Sequence, residues 1–220
     1  MIKYLYGKKE FLEPISHGLI SPRFSDLSHY QRLENELMRD KEITKECYWK
    51  KAEANLTVNG YSIANSSLAS DLLVAITPRH CFCLCLSARG NSSELYKRFG
   101  ANYCLAIDVP VLMDSLESTF GDQVGRLSFK NSDITYYDKY ENLLKLNAEE
   151  AVFFKPEIFK PEAEHRVAIF YPLSEEGFHM ADGKVFPFRL PQESTHLQST
   201  SVNGSTYWQR VVVDHFEFMA

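Results

Sequence analysis

The sequence predicts an α+β fold: a single domain over residues 1–220, with a mixed or split antiparallel sheet and helices inserted between its strands. Three observations carry this. Apolar and aromatic segments with strand character stand near both ends of the chain and at 80–87 and 103–109. Helix-forming stretches with capping or stop signals lie between them. No internal repeat and no linker composition divides the chain.

Residues 2–6 alternate and are rich in aromatics, which predicts an opening strand. Residues 8–15 have room for one or two helical turns, and 17–22 read as a turn and a short second strand ended by Pro22. From Ser28 to about Asn55, Glu, Lys and Arg dominate, and Tyr30, Leu33, Leu37 and Met38 recur near helical spacing, predicting a long helix with a solvated face. A turn region around Asn59-Gly60 leads to a second predicted helix over 67–76, with Leu68, Leu72, Leu73 and Ile76 at helical spacing and Pro78 as its stop.

Residues 79–87 form a near-continuous apolar run, the pattern of a strand buried on both faces. Ser92 or Ser93 caps a short helix that Gly100 ends. Another strand follows over 103–109, then a helix from Pro110 to about Phe120. Strand-like pieces over 126–137 and a helix over 140–150 come next. Residues 163–171 are a strand, turns fall at 175–177 and 182–183, and 185–190 is a strand interrupted by Pro187. Residues 192–204 are loop-like, and 206–218 close the chain as a strand.

A net charge of −5 leaves no basic excess to hold a nucleic-acid backbone, so that partner class is not indicated. The first residues lack the apolar run of a signal peptide, and no apolar run reaches bilayer length. Five cysteines, an odd number with three in one strand-like run, suit reduced thiols and a cytoplasmic location. Cys81, Cys83 and Cys85 share one face of that strand, where they read as small core residues rather than converging metal ligands. The histidines, His17, His29 and His80 among them, show no metal-ligand spacing, and no metal is predicted. A phosphate loop, a dinucleotide glycine fingerprint and a nucleophile elbow are all missing.

The chemically richest stretch is Glu162-Ala163-Glu164-His165-Arg166. Strand alternation places Glu162, Glu164 and Arg166 on one face and His165, Val167 and Ile169 on the other. One reading is a solvated face with a local ion pair worth about 0–1 kcal/mol. The other is a carboxylate pair that stabilises positive charge on a reacting centre, with Arg166 holding a carboxylate ionised. Ser87-Ala88-Arg89 is either a plain turn or a site loop at the end of a buried strand. Arg98 either meets an anion or simply belongs to a short amphipathic helix that buries Leu95 and Phe99.

Taken in order, several pieces resemble the bacterial domain-of-unknown-function family 2971. They are Lys3-Tyr4, Ser21-Pro22-Arg23-Phe24-Ser25-Asp26, Cys83-Leu84-Cys85-Leu86-Ser87, Tyr96-Lys97-Arg98-Phe99, Tyr103-Cys104-Leu105-Ala106-Ile107-Asp108, Phe154-Lys155 and the Glu162-to-Arg166 stretch. The resemblance spans residues 1 to about 171. Ser25-Asp26-Leu27 stands where the family has Asn-Asp-Pro, Leu95 replaces its Trp, and its Gly before the Ile-Asp strand is missing, which mark a divergent relative. The family is similar, more weakly, to the NAD-using ADP-ribosyltransferase fold. That similarity implies NAD as substrate, Glu164 as catalytic carboxylate and Glu162 as its acceptor-orienting partner, the two being exchangeable. It implies Ser87 as support for the carboxylate, and Tyr4 with Arg89 as NAD contacts. If NAD is the substrate, its diphosphate is expected to meet Arg89, Arg98 or Lys155, and Arg166 is a further candidate cofactor contact. The implied cleft holds Glu162, Glu164 and Arg166 together with Ser87 or Arg89. The acceptor, small molecule or protein, stays open. The other reading is a non-catalytic binding or interaction protein of a mobile-element or defence cassette, with residues 28–55 as an oligomer or partner surface.

Overall fold

The computed structural model describes residues 1–32, 43–121, 127–140, 143, 146–179, 182–190, 192–200 and 208–218. In chain order the strands are β1 (Ile2–Gly7), β2 (Phe24–Asp26), β3 (Lys45–Trp49), β4 (Leu56–Val58), β5 (Tyr61–Ile63), β6 (Leu72–Ile76), β7 (Phe82–Ser87) and β8 (Tyr103–Asp108). They continue as β9 (Ser128–Asp133), β10 (Thr135–Tyr137), β11 (Phe154–Pro156), β12 (Glu164–Phe170), β13 (Gly177–His179), β14 (Val185–Pro187), β15 (His196–Leu197) and β16 (Val212–Glu217). The α-helices are α1 (Lys9–Ser16), α2 (Ser93–Phe99) and α3 (Val109–Leu116). This is the predicted α+β class with a mostly antiparallel sheet.

Strand β7 is the trunk of the main sheet. Along one edge it pairs with β12 from Phe82 opposite Ile169 to Ser87 opposite Glu164, and β12 pairs in turn with β9. Along its other edge β7 has two partners: β2 meets it at Phe82 and Cys83, and β1 meets it at Ser87. β1 carries β8 and then β16, while β2 carries β15. The sheet therefore forks at β7, and among the described residues no strand pairs with Leu84, Cys85 or Leu86 on that edge.

The apolar run of β7 is explained by burial on both faces. Phe82, Leu84 and Leu86 join Val167 and Ile169 of β12 in the main core, beneath Leu12 and Ile15 of α1 and Leu112 and Leu116 of α3. Cys81 and Cys83 pack with Ala168, Phe170 and Leu27 on the opposite face. There α2 also packs, with Tyr96 against Cys104, Tyr4 and Tyr6. Its predicted ends hold: the Ser92 hydroxyl accepts from the Leu95 N–H, and Gly100 takes the left-handed conformation at φ 59°. Pro110 falls in the first turn of α3, which gives way to a π-turn over Glu117–Gly121.

Several expectations are overturned. The predicted helix over 28–55 is a 3₁₀ turn (Leu27–Arg32), the strand β3 and a second 3₁₀ turn (Lys51–Glu53), with residues 33–42 outside the described set. The predicted helix over 67–76 contains β6, which pairs with β3 from Leu72 opposite Trp49 to Ile76 opposite Lys45. Leu72-Leu73-Val74-Ala75-Ile76 is apolar throughout, so its spacing fits a helix and a strand alike, and β3 as a long-range partner decides. Of the predicted helix over 140–150, the described residues are turn, irregular or the first of a 3₁₀ turn (Glu150–Phe153); Leu143 is buried beside Cys47 of β3. Residues 141, 142, 144 and 145 lie outside the described set. The short second strand at 17–22 reduces to a bridge between Ile20 and Thr200, and the paired strand is β2. The loop-like 192–204 contains β15, and the closing strand begins only at Val212, after the 3₁₀ turn Trp208–Val211.

Leu105 lies in β8 at 0% exposure, in the middle of the main core. Leu105→Ala is expected to lower unfolding free energy by about 2–5 kcal/mol in chemical denaturation. Leu173→Ala, at a site 82% exposed, is expected to change it by less than about 0.5 kcal/mol.

Candidate functional site

Glu164 and Arg166 share a face of β12, as alternation requires, but Glu162 is not on that strand. It ends the 3₁₀ segment Glu157–Glu162, and Ala163 then takes left-handed backbone at φ 44° and ψ 49°. An L-residue pays about 1–2 kcal/mol for that conformation. The kink returns the Glu162 side chain beside Glu164, and Lys155 of β11 joins them. Lys155 Nζ donates to Glu162 Oε2 at 2.8 Å and to Glu164 Oε2 at 2.9 Å.

Each outer oxygen meets a guanidinium. Arg98 Nε of α2 donates to Glu162 Oε1 at 3.0 Å. Arg166 donates to Glu164 Oε1 from Nε at 2.8 Å and from the second guanidinium nitrogen at 2.7 Å, while its third nitrogen reaches the Val152 carbonyl at 2.6 Å. The result is a chain of alternating charge: Arg98, Glu162, Lys155, Glu164, Arg166. Within this chain each carboxylate is flanked by two cations, with Lys155 shared between them. The solvated-face reading does not survive, because Glu162, Glu164 and Lys155 are 4–6% exposed and Arg166 is 0% exposed. Lys155 also stands 4.5 Å from the centre of the Phe159 ring.

Ser87 lies opposite Glu164 in the ladder, yet its hydroxyl touches neither carboxylate through a hydrogen bond. It donates to the Glu162 backbone carbonyl at 2.7 Å and accepts from the Arg89 N–H at 3.0 Å, so it clamps the kink that places Glu162. The Arg89 guanidinium is spent on the Pro161 carbonyl and Glu94. Tyr4 pairs with Ser87 across the sheet, and its ring lies so close to Gly90 that a Cβ there would sit 2.4 Å from Tyr4 Cζ. Only glycine admits that approach.

A cavity of about 460 Å³ opens at the fork of the sheet. One wall carries Tyr4, Tyr6, Ser87, Lys155, Glu162 and Glu164; Leu5, Leu12, Ile15, Leu84 and Leu86 belong to the opposite, apolar face. Successive residues of β7 face opposite sides, so a cavity touching both Leu84 and Cys85 passes through the opening between the two branches. Its volume is in the range of ligand pockets. Arg23, Ser25 and His29 also line it. Of the predicted cofactor contacts, Tyr4 and Lys155 are in the wall, whereas Arg89, Arg98 and Arg166 do not line the cavity.

Sequence reading missed Tyr136, whose hydroxyl accepts the Glu164 N–H at 2.7 Å, and Tyr30, whose hydroxyl accepts from Cys85 Sγ at 3.0 Å. Neither has a local signal. Burial pushes the Tyr136 phenol up to about 12. Burial, then the Glu164 charge, push the Cys85 thiol well above its ordinary value, so it stays neutral and packs.

The β2 branch is held by Asp26, 1% exposed. Its carboxylate accepts from the Ser28 N–H at 2.9 Å, from the Thr195 N–H at 2.5 Å and from Arg32 at 3.4 Å. Burial alone would raise its carboxyl; His80, Ser28 and Thr195 outweigh burial and hold it well below the usual carboxylate range. No family model, curated protein or solved structure matches this chain.

Two outcomes follow from these charges. Arg166→Met leaves Glu164 buried with half its compensation, and a loss of about 3–5 kcal/mol is expected in urea unfolding; a change below about 1 kcal/mol would contradict the network. Asp26 has a depressed folded-state pKa, so its stabilisation is full above its unfolded value of about 4 and fades as pH falls below it. Asp26→Asn is therefore expected to be less stable than the parent at pH 7, with the difference shrinking by pH 3.

Proposed function

We propose that this chain binds an NAD-type dinucleotide in the opening of the sheet and cleaves the bond between nicotinamide and ribose, passing ADP-ribose to an acceptor or to water. The observation that carries the reading is the pair of buried glutamates, Glu162 and Glu164, bridged by a shared Lys155 in the wall of a ligand-sized cavity. In this reaction the C1′–N bond breaks with its electron pair leaving on nicotinamide. Positive charge develops at C1′ and O4′, and the incoming nucleophile then bonds to C1′. A carboxylate fixed near that centre stabilises a charge present only in the transition state. The remaining lone pairs accept ribose hydroxyls. The order of motifs resembling family 2971, and through it the ADP-ribosyltransferase fold, supports the same reading, as does the forked sheet with its late glutamates. Glu164 is the better candidate for the catalytic carboxylate: it is fixed on a strand, while Glu162 sits on the kink and suits the acceptor side.

A second reading has its own observation. Each glutamate is already shared between two cations, which dampens its field on a developing cation and suits binding without turnover. This is the binding or interaction protein of a defence or mobile-element cassette. Incubation with NAD separates the two. Nicotinamide release is expected from the parent, falling by about 10²–10³ in Glu164→Gln while NAD still raises the melting temperature of both proteins. Stabilisation by NAD without release from the parent would favour the binding reading. No release and no stabilisation, even at NAD concentrations where a 100-fold excess over Kd would add about 2.7 kcal/mol, would overturn the dinucleotide assignment.

A further inference from the structure

Cations lining a cavity without a counter-ion favour an anion. Arg23, which precedes β2, lines the cavity and makes no hydrogen bond or ion pair among the described residues. Arg32 nearby differs: it is bound to Asp26, to the Ser28 hydroxyl at 2.7 Å and to the Glu193 carbonyl at 2.9 Å. Two histidines stand with Arg23. The rings of His29 and His196 meet edge to face with centroids 5.0 Å apart. Their Nδ1 atoms are pinned by serine hydroxyls, His29 to Ser194 at 2.9 Å and His196 to Ser25 at 2.9 Å. Their Nε2 atoms have no partner among the described residues. Each ring is thus fixed through Nδ1; His29 lines the cavity, and His196 packs against its ring.

The geometry points to a phosphate subsite here: Arg23 and His29, backed by His196, hold a phosphate or diphosphate group. For the ligand as a whole this rests on the dinucleotide reading, which then runs from a sugar at Glu162 and Glu164 to a diphosphate at Arg23. It replaces the sequence expectation that Arg89, Arg98 or Lys155 meets the diphosphate, since those three are engaged with carboxylates.

The surrounding charges set the pH behaviour. Burial, then His196 and Arg23, push His29 down to about 4, against the opposing pull of Asp26. Burial and Arg23 lower His196 as well. The other polar groups packed here are Arg32, Tyr30 and, beyond Asp26, His80 at 3.6 Å. A bound dianion favours the imidazolium, so binding takes up protons. Affinity rises as pH falls from 7 toward 5, and above pH 7 the two imidazoles add no charge to that of the arginines.

The test uses the intact protein and two inorganic probes. Pyrophosphate titrated at pH 7 is expected to move the C2–H signals of His29 and His196 together and saturably. Arg23→Gln, which breaks no bond in the fold, is expected to weaken pyrophosphate at least about tenfold and to raise the pKa of His29 in the free protein. Lys184→Gln removes the same charge from an exposed side chain and is expected to stay within about twofold of the parent. Sulfate, whose charge is constant between pH 5 and 8, is expected to bind more tightly at the lower pH. Histidine signals that do not respond to pyrophosphate, or equal weakening in both variants, overturn the subsite. If NAD stabilises the protein while the histidines ignore pyrophosphate, the subsite falls and the dinucleotide reading stands. If pyrophosphate binds through Arg23 while NAD neither binds nor is cleaved, the subsite stands and the dinucleotide reading falls.

Discussion

A buried ammonium needs negative charge close by, and Lys155 has it from two sides. Everything at the centre of this molecule is arranged around that requirement. Arg98 brings in α2, Glu162 the 3₁₀ turn before β12, Lys155 the short strand β11, and Glu164 with Arg166 the main sheet. Three consecutive elements of residues 154–170 and the distant α2 are held by one row of alternating charges. Such a row adds little net stability over apolar packing, but losing a member is costly, because it strands a charge in a low-dielectric interior. Its value is positional: two carboxylates are fixed side by side.

The second constraint is the fork. β12 occupies the whole of one edge of β7, while the other edge is shared by two short contacts with β1 and β2. The stretch between them, Leu84 to Leu86, is left to the cavity. Both branches are pinned close to where they diverge. On one side Tyr4 lies against Gly90, and on the other Asp26 draws Ser28, Thr195 and Arg32 together. The opening passes between sheet faces of different character, so its polar wall and its apolar wall are the two faces of the same strands.

Under the proposed reading, the two ends of the cavity do different work. The glutamate wall presents acceptors whose own charge is already balanced, which suits hydroxyl recognition and a cation formed only in passing. The Arg23 and His29 end presents donors without a counter-ion, which suits a phosphate. Tyr4 and Tyr6 of β1 add aromatic surface to the lining.

Much of this was legible locally. The twofold burial of β7 follows from its unbroken apolar run, the ends of α2 from Ser92 and Gly100, and the shared face of Glu164 and Arg166 from alternation alone. Long-range choices were not. β3 and β6 carry charge or uniform apolarity that reads as helix until each finds the other as partner. Whether Glu162 and Glu164 would be solvated or buried depended on Lys155 and Arg98, which arrive from other elements. The sequence by itself determined the α+β class, the trunk strand and the concentration of chemistry around residue 164, because those rest on periodicity and local backbone chemistry. Only the tertiary structure decided where the sheet opens and which charges meet, because burial and pairing between distant residues set electrostatic energies that no short window contains.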